Sequence, residues 1–422
     1  MKICKIVGAL LLFLMIPFCL YGCNIPVTGG GINIPRPDEN ILDSFDPVLA
    51  GSNNEFGIKL FEKLLEEDEE VFISPVSIAA ALTMTYNGAR GETREAMARA
   101  LEVEGVDLER LNENNLALFY LLQEADPSVK LAIANSLWMR EGVELDQGFI
   151  KRNERFFHAA VKELDFDSPE AADTINRWVY ERTGGLIEDI VEPPIDPLTI
   201  LFLINAIHFQ GDWTEPFDKN NTREDTFYLD GGKTTTVPFM YRSDEFYYYE
   251  EESFQSVRLP YGEEERMAMY VFLPSEKHNL QDFFKGFKKL EWEGLRQEFH
   301  KAEGDLYLPR FSMEYEKSLN DYLKALSMEV AFDENRADFF DMVPWEGKPR
   351  LYISEVKHKS FIEVDEKGTE AAAATSVEVR LESAPAFYFN MKVDRPFFFL
   401  IHDEETGAIL FMGTVSNPAH FS

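Results

Sequence analysis

The sequence predicts an α+β fold, because helical patterns come early in the chain and strand patterns come later. Segments with the apolar spacing of helices recur between residues 54 and 183, whereas apolar strand patterns dominate from Thr199 onward. Such segregation is typical of α+β folds rather than of alternating α/β folds. No internal repeat and no second linker interrupts the body of the 422-residue chain, so we expect one large domain.

Composition limits the classes of function. Hydrophobic residues make up 45% of the chain, enough for a large core. The 75 acidic and 41 basic residues give a net charge of -34, and a surface this negative repels nucleic acid. The only cysteines are Cys4, Cys19 and Cys23, so the sequence excludes a disulfide or a cysteine-ligated metal site within the fold.

The N-terminus has the pattern of an export signal. Lys2 and Lys5 precede an apolar run from residue 6 to about residue 20. Residues 20–23 resemble a prokaryotic lipobox, in which Cys23 would receive a diacylglycerol, although Tyr21 departs from the small residue usual there. The alternative is an ordinary signal peptide with a chance cysteine. We therefore expect a signal peptide over residues 1–22 and an extracytoplasmic protein anchored to the membrane at Cys23.

The segment after Cys23 has the composition of a tether. Residues 24–37 are rich in glycine and proline, so we assign residues 23–53 to a flexible spacer. Residues 41–49 are more apolar, and packing of this stretch on the body remains an alternative to free movement.

Helices are predicted from apolar spacing and from cap residues. Ser74 suits a helix N-cap and Pro75 suits the first turn, so a helix should begin there. The predicted helices span residues 54–65, 75–86, 91–101 and 171–183, with helical patterns continuing to about residue 125.

Strands are predicted mainly in the second half of the chain. Residues 201–209 are apolar at almost every position, which predicts a central strand buried on both faces. Residues 396–401 and 408–412 flank a short polar segment, which indicates a hairpin. Further strands are predicted at residues 131–138 and 267–273.

Motifs for catalysis, metal binding and cofactor binding are absent from the sequence. No HExxH and no GxSxG occurs, and no GxGxxG follows a strand pattern. Gly232, Lys233 and Thr234 resemble the end of a phosphate loop, but Phe227 stands where its first glycine is required. We therefore expect a protein that is not an enzyme and that uses neither a metal nor a cofactor.

An alternating segment near the C-terminus is the most informative part of the chain. Counted in twos from Thr369, one face carries threonine, alanine, valine and leucine up to Leu381, and the other carries every charge. Such a segment could enter a sheet with one face in the core and one in water. Its four alanines also favour a surface helix, and Gly368 permits a hinge.

Residues 366–375 resemble the hinge of the serpins, the serine protease inhibitor family. Six further segments resemble serpin motifs, and all occur in family order between about residues 54 and 420. They are residues 72–82, 88–93, 205–213, 258–261, 308–311 and 411–418.

The resemblance implies a fold and a set of functional residues. It implies a serpin domain over residues 54–420, with three β-sheets, about eight or nine helices and an exposed reactive loop at about 366–390. The hinge positions are Glu366, Gly368, Thr369, Glu370, Ala371, Ala372, Ala373, Ala374 and Thr375. The positions that govern sheet opening are Ser74, Ser77, Asn205, Trp213 and His358; for the serines, the asparagine and the histidine, an ordinary cap or a satisfied core polar group is the other interpretation.

The resemblance also implies where a protease would cleave. In the family, the residue before the cleaved bond usually lies 16 positions after the hinge glutamate, which points to the bond between Glu382 and Ser383. A shift of one or two positions would place Leu381 or Ala384 there and suit elastase-, chymotrypsin- or subtilisin-like enzymes.

The function implied is inhibition of serine, or alternatively cysteine, endopeptidases by a suicide-substrate mechanism. The cleaved loop would insert into the main sheet of a metastable, monomeric protein while the protease stays covalently attached. A non-inhibitory serpin acting as a binding module is the alternative, although such members tend to carry bulky, charged or proline residues on the inserting face, and this loop has none. The ordered motifs argue against an unrelated ligand-binding lipoprotein.

Overall fold

The structure is a computed structural model that describes residues 34–343, 351–369 and 388–420. Within these ranges it contains ten α-helices and two β-sheets. The helices are α1 Glu39–Asp43, α2 Pro47–Leu65, α3 Pro75–Tyr86, α4 Gly91–Ala100, α5 Leu108–Gln123, α6 Gln147–Phe157, α7 Ala171–Arg182, α8 Leu280–Phe287, α9 Trp292–Arg296 and α10 Asn320–Leu323. The strands are β1 Phe72–Ile73, β2 Val129–Arg140, β3 Ala160–Leu164, β4 Leu201–Asp212, β5 Arg223–Tyr228, β6 Thr234–Glu251, β7 Phe254–Tyr261, β8 Met267–Pro274, β9 His300–Pro309, β10 Phe311–Ser318, β11 Glu355–Val364, β12 Gly368–Thr369, β13 Tyr388–Lys392, β14 Phe397–Asp403 and β15 Ile409–Val415.

The α+β class is confirmed, but the described residues form two sheets instead of three and contain ten helices instead of eight or nine. Strand β6 joins what would otherwise be separate sheets, because its first part pairs with β5 and β9 and its last five residues pair with β7. Helices α1, α9 and α10 have five residues or fewer, too short to give a periodic apolar pattern.

The body begins earlier in the chain than residue 54. Helix α2 starts at Pro47, and the side chain of Asp46 caps it by accepting a hydrogen bond from the Val48 N–H. Ile41 of α1 is buried in the main core. Residues 39–53, which the sequence assigns to the tether, are thus packed on the body, because their apolar side chains find partners there.

Strand β4 is buried on both faces, as predicted. Its residues Leu203 and Ile207 belong to the main core, whereas Phe202 and Ile204 face a second, smaller core formed with α7. The predicted hairpin is also confirmed, since β14 and β15 pair in antiparallel fashion. These two cores hold the six-stranded sheet between α3 on one side and α7 on the other.

The six-stranded sheet has a short strand inserted at one end. Its order is β10-β11-β12-β4-β2-β3. Strands β4 and β11 run parallel and pair directly, residues 202–208 with residues 355–361. Beyond that point β12 lies between them and runs antiparallel to both. The two central strands therefore separate at this end of the sheet and are joined directly along the rest.

None of the helices in the described ranges combines the length and the apolar character that crossing a membrane would require.

Candidate functional site

A tight turn delivers the chain from β11 into the gap between β4 and β11. The Asp365 carboxylate accepts hydrogen bonds from the N–H groups of Lys367 (2.8 Å) and Gly368 (3.3 Å). The Asp365 N–H in turn donates to the Gly368 carbonyl at 2.9 Å. These bonds reverse the chain within residues 365–368 and direct Thr369 along the sheet.

Gly368 lies where no side chain would fit. A Cβ on this residue would be 2.1 Å from the carbonyl oxygen of Gly211 and 2.7 Å from the Cα of Asp212. Both neighbours are backbone atoms of β4, so neither can move aside without distorting the strand. The hinge glycine expected from the sequence is therefore required by close approach of two backbones.

Thr369 faces the interior of the protein. It pairs with Val364 on one side and Gly211 on the other, and it is fully buried. Its hydroxyl lies 2.9 Å from the hydroxyl of Tyr261. Burial raises the pKa of Tyr261, so this phenol stays neutral and can donate or accept in that pair.

Trp213 holds the turn from the β4 side. Its backbone N–H donates to the Lys367 carbonyl at 2.7 Å, and its indole N–H donates to the Asp365 carbonyl at 3.0 Å. Its ring stacks on Tyr261 with the ring centroids 4.4 Å apart. We call Trp213, Tyr261, Glu366, Gly368 and Thr369 the hinge cluster.

Glu366 is a buried carboxylate with charged and polar partners. It is fully buried, and its Oε1 accepts hydrogen bonds from Arg310 Nε at 2.8 Å and Thr222 Oγ1 at 2.5 Å. Burial alone would raise the pKa of Glu366, but the bonds from Arg310 and Thr222 outweigh it and hold the pKa below its usual value. The carboxylate is therefore charged at neutral pH and fixes the start of the turn.

A second group of residues joins β4 and β11 further down the sheet. Asn205 of β4 lies opposite His358 of β11, and His358 Nδ1 is 2.6 Å from Asn205 Oδ1. The Asn205 amide nitrogen donates to Asn135 Oδ1 on β2 at 2.6 Å and to Ser77 Oγ on α3. We call Ser77, Asn135, Asn205 and His358 the polar cluster, and all four are buried.

Burial lowers the pKa of His358 to about 3, so its imidazole is neutral at physiological pH. Because the Asn205 amide nitrogen donates to two other residues, its carbonyl oxygen faces His358 and accepts a hydrogen bond from the Nδ1–H of that imidazole. The polar cluster therefore links β4 to β11 through a side-chain hydrogen bond. This bond would have to break if the two strands separated.

The residues that the sequence assigned to sheet opening lie in two separate places in the structure. Asn205 is hydrogen-bonded to both Ser77 and His358, and Ser74 supports this group by capping α3 through the Ser77 N–H. Trp213 lies eight residues beyond Asn205 along the chain and belongs to the hinge cluster.

Several residues that complete the site had no role in the sequence-based prediction. They are Asn135, Thr222, Tyr261 and Arg310. Tyr261 and Arg310 fall within segments noted for their resemblance to serpin motifs, which is the one signal that could have drawn attention to them.

Several predicted positions lie outside the described residues. They are Cys23, Glu370, Ala371, Ala372, Ala373, Ala374, Thr375, Leu381, Glu382, Ser383 and Ala384. Across the ranges that are described, no group of three or more histidine, cysteine, aspartate or glutamate side chains is positioned to hold a metal ion.

Comparisons of this chain with a family model, with curated proteins and with solved structures all find serpins. A family model described as Serpin (serine protease inhibitor) matches residues 51–418. An uncharacterized serpin-like protein of Thermococcus kodakarensis is 37% identical, and the match covers 91% of this chain and 89% of that protein. Human neuroserpin is 35% identical, over 83% of this chain and 87% of its own. The crystal structure of tengpin, a thermophilic serpin in the native state, superposes with a TM-score of 0.79 at 31% identity, covering 92% of this chain and 97% of that one.

Proposed function

The chain belongs to the serpin family, and we propose that it traps serine endopeptidases by inserting its cleaved reactive loop between β4 and β11. The matching family model is described as a serine protease inhibitor, which is a class of protein that acts on enzymes and is not itself an enzyme. In the proposed reaction, the protease serine attacks the carbonyl carbon of Glu382 and the bond to Ser383 breaks. The loop, with the acylated protease attached, then extends β12 along the sheet.

The position of β12 is the observation that supports this mechanism. It is antiparallel to both neighbours, and Thr369 already occupies a paired, fully buried position between them. Residues that continue β12 beyond Thr369 would pair with β4 on one side and with β11 on the other. The segment contains no proline that would interrupt such pairing before Pro385.

Insertion requires that β4 and β11 separate where they now pair. The direct pairing of residues 202–208 with residues 355–361 must break, together with the contact between Asn205 and His358. A complete new strand would replace one parallel ladder with two antiparallel ones and bury Val377, Val379 and Leu381 on the inward face. The larger number of ladder bonds and the added apolar burial favour the inserted state.

Incubation with a panel of serine proteases tests the proposal. The panel contains a glutamate-specific endopeptidase, elastase, chymotrypsin and subtilisin, and a cysteine protease is added for the wider target class. We expect at least one to yield a complex that survives denaturing electrophoresis, with loss of protease activity. Loop cleavage by all of them without such a complex would reject trapping and favour a non-inhibitory binding module.

We also propose that the protein is exported and anchored outside the cytoplasm through diacylated Cys23. The basic start, the apolar run and the lipobox-like residues 20–23 support this location. The variant Cys23→Ser should leave the membrane fraction, and labelled fatty acid should appear on the wild type alone. Absence of label from the wild type would reject the anchor.

A further inference from the structure

The loop between β4 and β5 contains an acceptor motif for N-glycosylation. Asn220, Asn221 and Thr222 form an Asn-x-Thr triplet whose middle residue is not proline. No other asparagine of the sequence is followed two positions later by serine or threonine. Sugars attached to such triplets are bulky and need a surface position. The chain therefore offers a single asparagine for this modification, and its fit depends on the exposure of Asn220.

Asn220 lies on the surface of the protein. Residues Lys219–Asn221 form a short 3₁₀ turn in which no residue is buried, and the side chain of Asp218 caps this turn. Just before it, the backbone N–H of Phe217 donates to the Glu366 carbonyl at 2.7 Å. Asn220 is thus exposed to solvent next to the segment that holds the first residue of the hinge cluster on the reactive-loop side.

The side-chain amide of Asn220 has a hydrogen to spare. Asp218 Oδ1 accepts hydrogen bonds from the Asn220 backbone N–H at 2.9 Å and from Nδ2 at 3.0 Å. Nδ2 carries two hydrogens, so a sugar can replace one while the other stays available to Asp218. The Asn220 carbonyl accepts a hydrogen bond from Arg223 Nη1 at 2.6 Å, which involves only the backbone of Asn220. The folded loop therefore accommodates a sugar on Nδ2 without losing these bonds.

Thr222, the third residue of the triplet, is already engaged in the folded protein. Its hydroxyl donates to Glu366 Oε1 at 2.5 Å, and that carboxylate is fully buried. The hydroxyl at this position defines the triplet, so the enzyme that attaches the sugar must recognise it. Recognition would require breaking a hydrogen bond to a charged partner. The sugar must therefore be attached before Thr222 meets Glu366, that is, before the chain folds.

We propose that Asn220 is N-glycosylated during export, before the chain folds, by transfer of an oligosaccharide from a lipid phosphate ester. This inference rests on the export proposed above and does not depend on trapping. In the transfer, Nδ2 of Asn220 attacks C1 of the first sugar, a C–N bond forms, and the C1–O bond to the lipid phosphate breaks. The amide loses one proton, and the lipid phosphate leaves. The sugar would then stand beside the hinge cluster, on the exposed turn at residues 219–221.

Mass spectrometry of the exported protein tests the site. The protein is isolated from the cells that make it, denatured and digested with chymotrypsin, which cuts after Phe217 and Phe227 and releases a peptide that contains the whole triplet. We expect this peptide to carry the mass of an oligosaccharide on Asn220. Asn220→Gln and Thr222→Ala should abolish the added mass. The matched control is Asn221→Gln, the same substitution at the exposed neighbour, which keeps an Asn-x-Thr triplet and should keep the sugar.

A second measurement tests the order of modification and folding. Folded protein made without the sugar and a synthetic peptide of residues 214–226 are each incubated with membranes of the source cells, which supply the transferase and its lipid donor. Freeing the Thr222 hydroxyl from Glu366 should reduce the reactive population of the folded protein about tenfold or more, so the peptide should be modified faster by that factor. Equal rates would show that the folded protein is an acceptor and would overturn the proposed order.

The same mass spectra separate failure of this proposal from failure of export. An unmodified Asn220 in a wild-type chain that has lost residues 1–22 would overturn the glycosylation site and leave export standing. An unmodified wild-type chain that retains residues 1–22 would reject export, and the glycosylation with it. Trapping is measured independently with the protease panel, so a failure of inhibition is distinct from either result.

Discussion

Thr369 is the last residue of β12, and in our proposal the reactive loop follows it. It is fully buried, and its hydroxyl lies 2.9 Å from Tyr261. Thr369→Arg would bring an unpaired cation into this position, which costs several kcal/mol or more. Loop cleavage 13 residues away should proceed normally while insertion slows, so the acyl bond hydrolyses first. We predict cleaved protein, active protease and no stable complex, measured as the stoichiometry of inhibition.

The neighbouring position provides the control for this variant. The alternation of the sequence from Thr369 predicts that Glu370 would lie on the solvent face of an inserted strand, so Glu370→Arg should trap protease almost as well as the wild type. Unchanged stoichiometry in Thr369→Arg would show that its side chain need not be buried during trapping.

His358 makes the stability of the native protein depend on pH. Its pKa is about 3 in the folded protein, against about 6.5 in the unfolded chain. Below pH 6.5 the unfolded chain binds a proton that the folded protein does not, so stability from this residue is lost as the pH falls from 6.5 towards 3, by at most about 1.4 kcal/mol per unit.

We therefore predict that His358→Gln melts below the wild type at pH 7 and that the gap narrows by pH 5. Apparent melting temperatures are compared at one scan rate, because the melting temperature of a protein that unfolds irreversibly depends on the scan rate. Burial also lowers the pKa of His402, but that residue is present in both proteins and its contribution cancels. A gap that stays constant with pH would contradict the neutral, buried state of His358.

At the scale of elements, β12 depends on a glycine. A Cβ at Gly368 would lie 2.1 Å from the Gly211 carbonyl oxygen, so Gly368→Ala should push β12 out of the gap. We expect slower insertion and a higher ratio of cleaved to trapped inhibitor. Gly286→Ala on α8 is the control, because a Cβ there meets no atom within 4 Å and alanine favours helix. Equal trapping by the two variants would show that β4 can yield at this point.

The strands and helices with strong local patterns were predictable. Strand β4 is apolar on both faces, and the hairpin of β14 and β15 has a polar turn between two apolar runs. Strand β6 was not predicted, because it is long, half-exposed and pairs with three partners in succession. The start of α2 was missed although Asp46 and Pro47 carry the same cap-and-proline signal as Ser74 and Pro75.

The functional site was predictable only in part, because its contacts join distant parts of the chain. Ser77, Asn205 and His358 were identified through resemblance, and the structure brings them into contact. Asn135 joins them from 70 residues away in sequence, and no local pattern distinguishes it from other asparagines. The Glu366 carboxylate likewise meets Thr222 across 144 residues, a contact that only the folded sheet creates.

At the scale of the whole molecule, the central sheet combines a closed part and an open part. The hinge cluster holds the two residues of β12 between β4 and β11, while the polar cluster and the direct pairing of β4 with β11 close the sheet beyond them. In the proposed mechanism, an uncut loop stays connected to β13 as well as to β12, and this second connection prevents it from inserting along the full length of the sheet. Cleavage would remove the connection to β13, and the rest of the segment would then insert between β4 and β11.

Thermal unfolding before and after loop cleavage tests insertion most directly. The protein is cut cleanly between Thr375 and Ser383 by a protease that it does not trap, and the intact and cut forms are melted at the same scan rate. Insertion predicts a sharp rise in melting temperature on cleavage, because the inserted segment gains a ladder on both edges and buries Val377, Val379 and Leu381. Cut Thr369→Arg should show little of this rise. An unchanged or lowered melting temperature for the cut wild type would contradict insertion, and with it the proposed mechanism of inhibition.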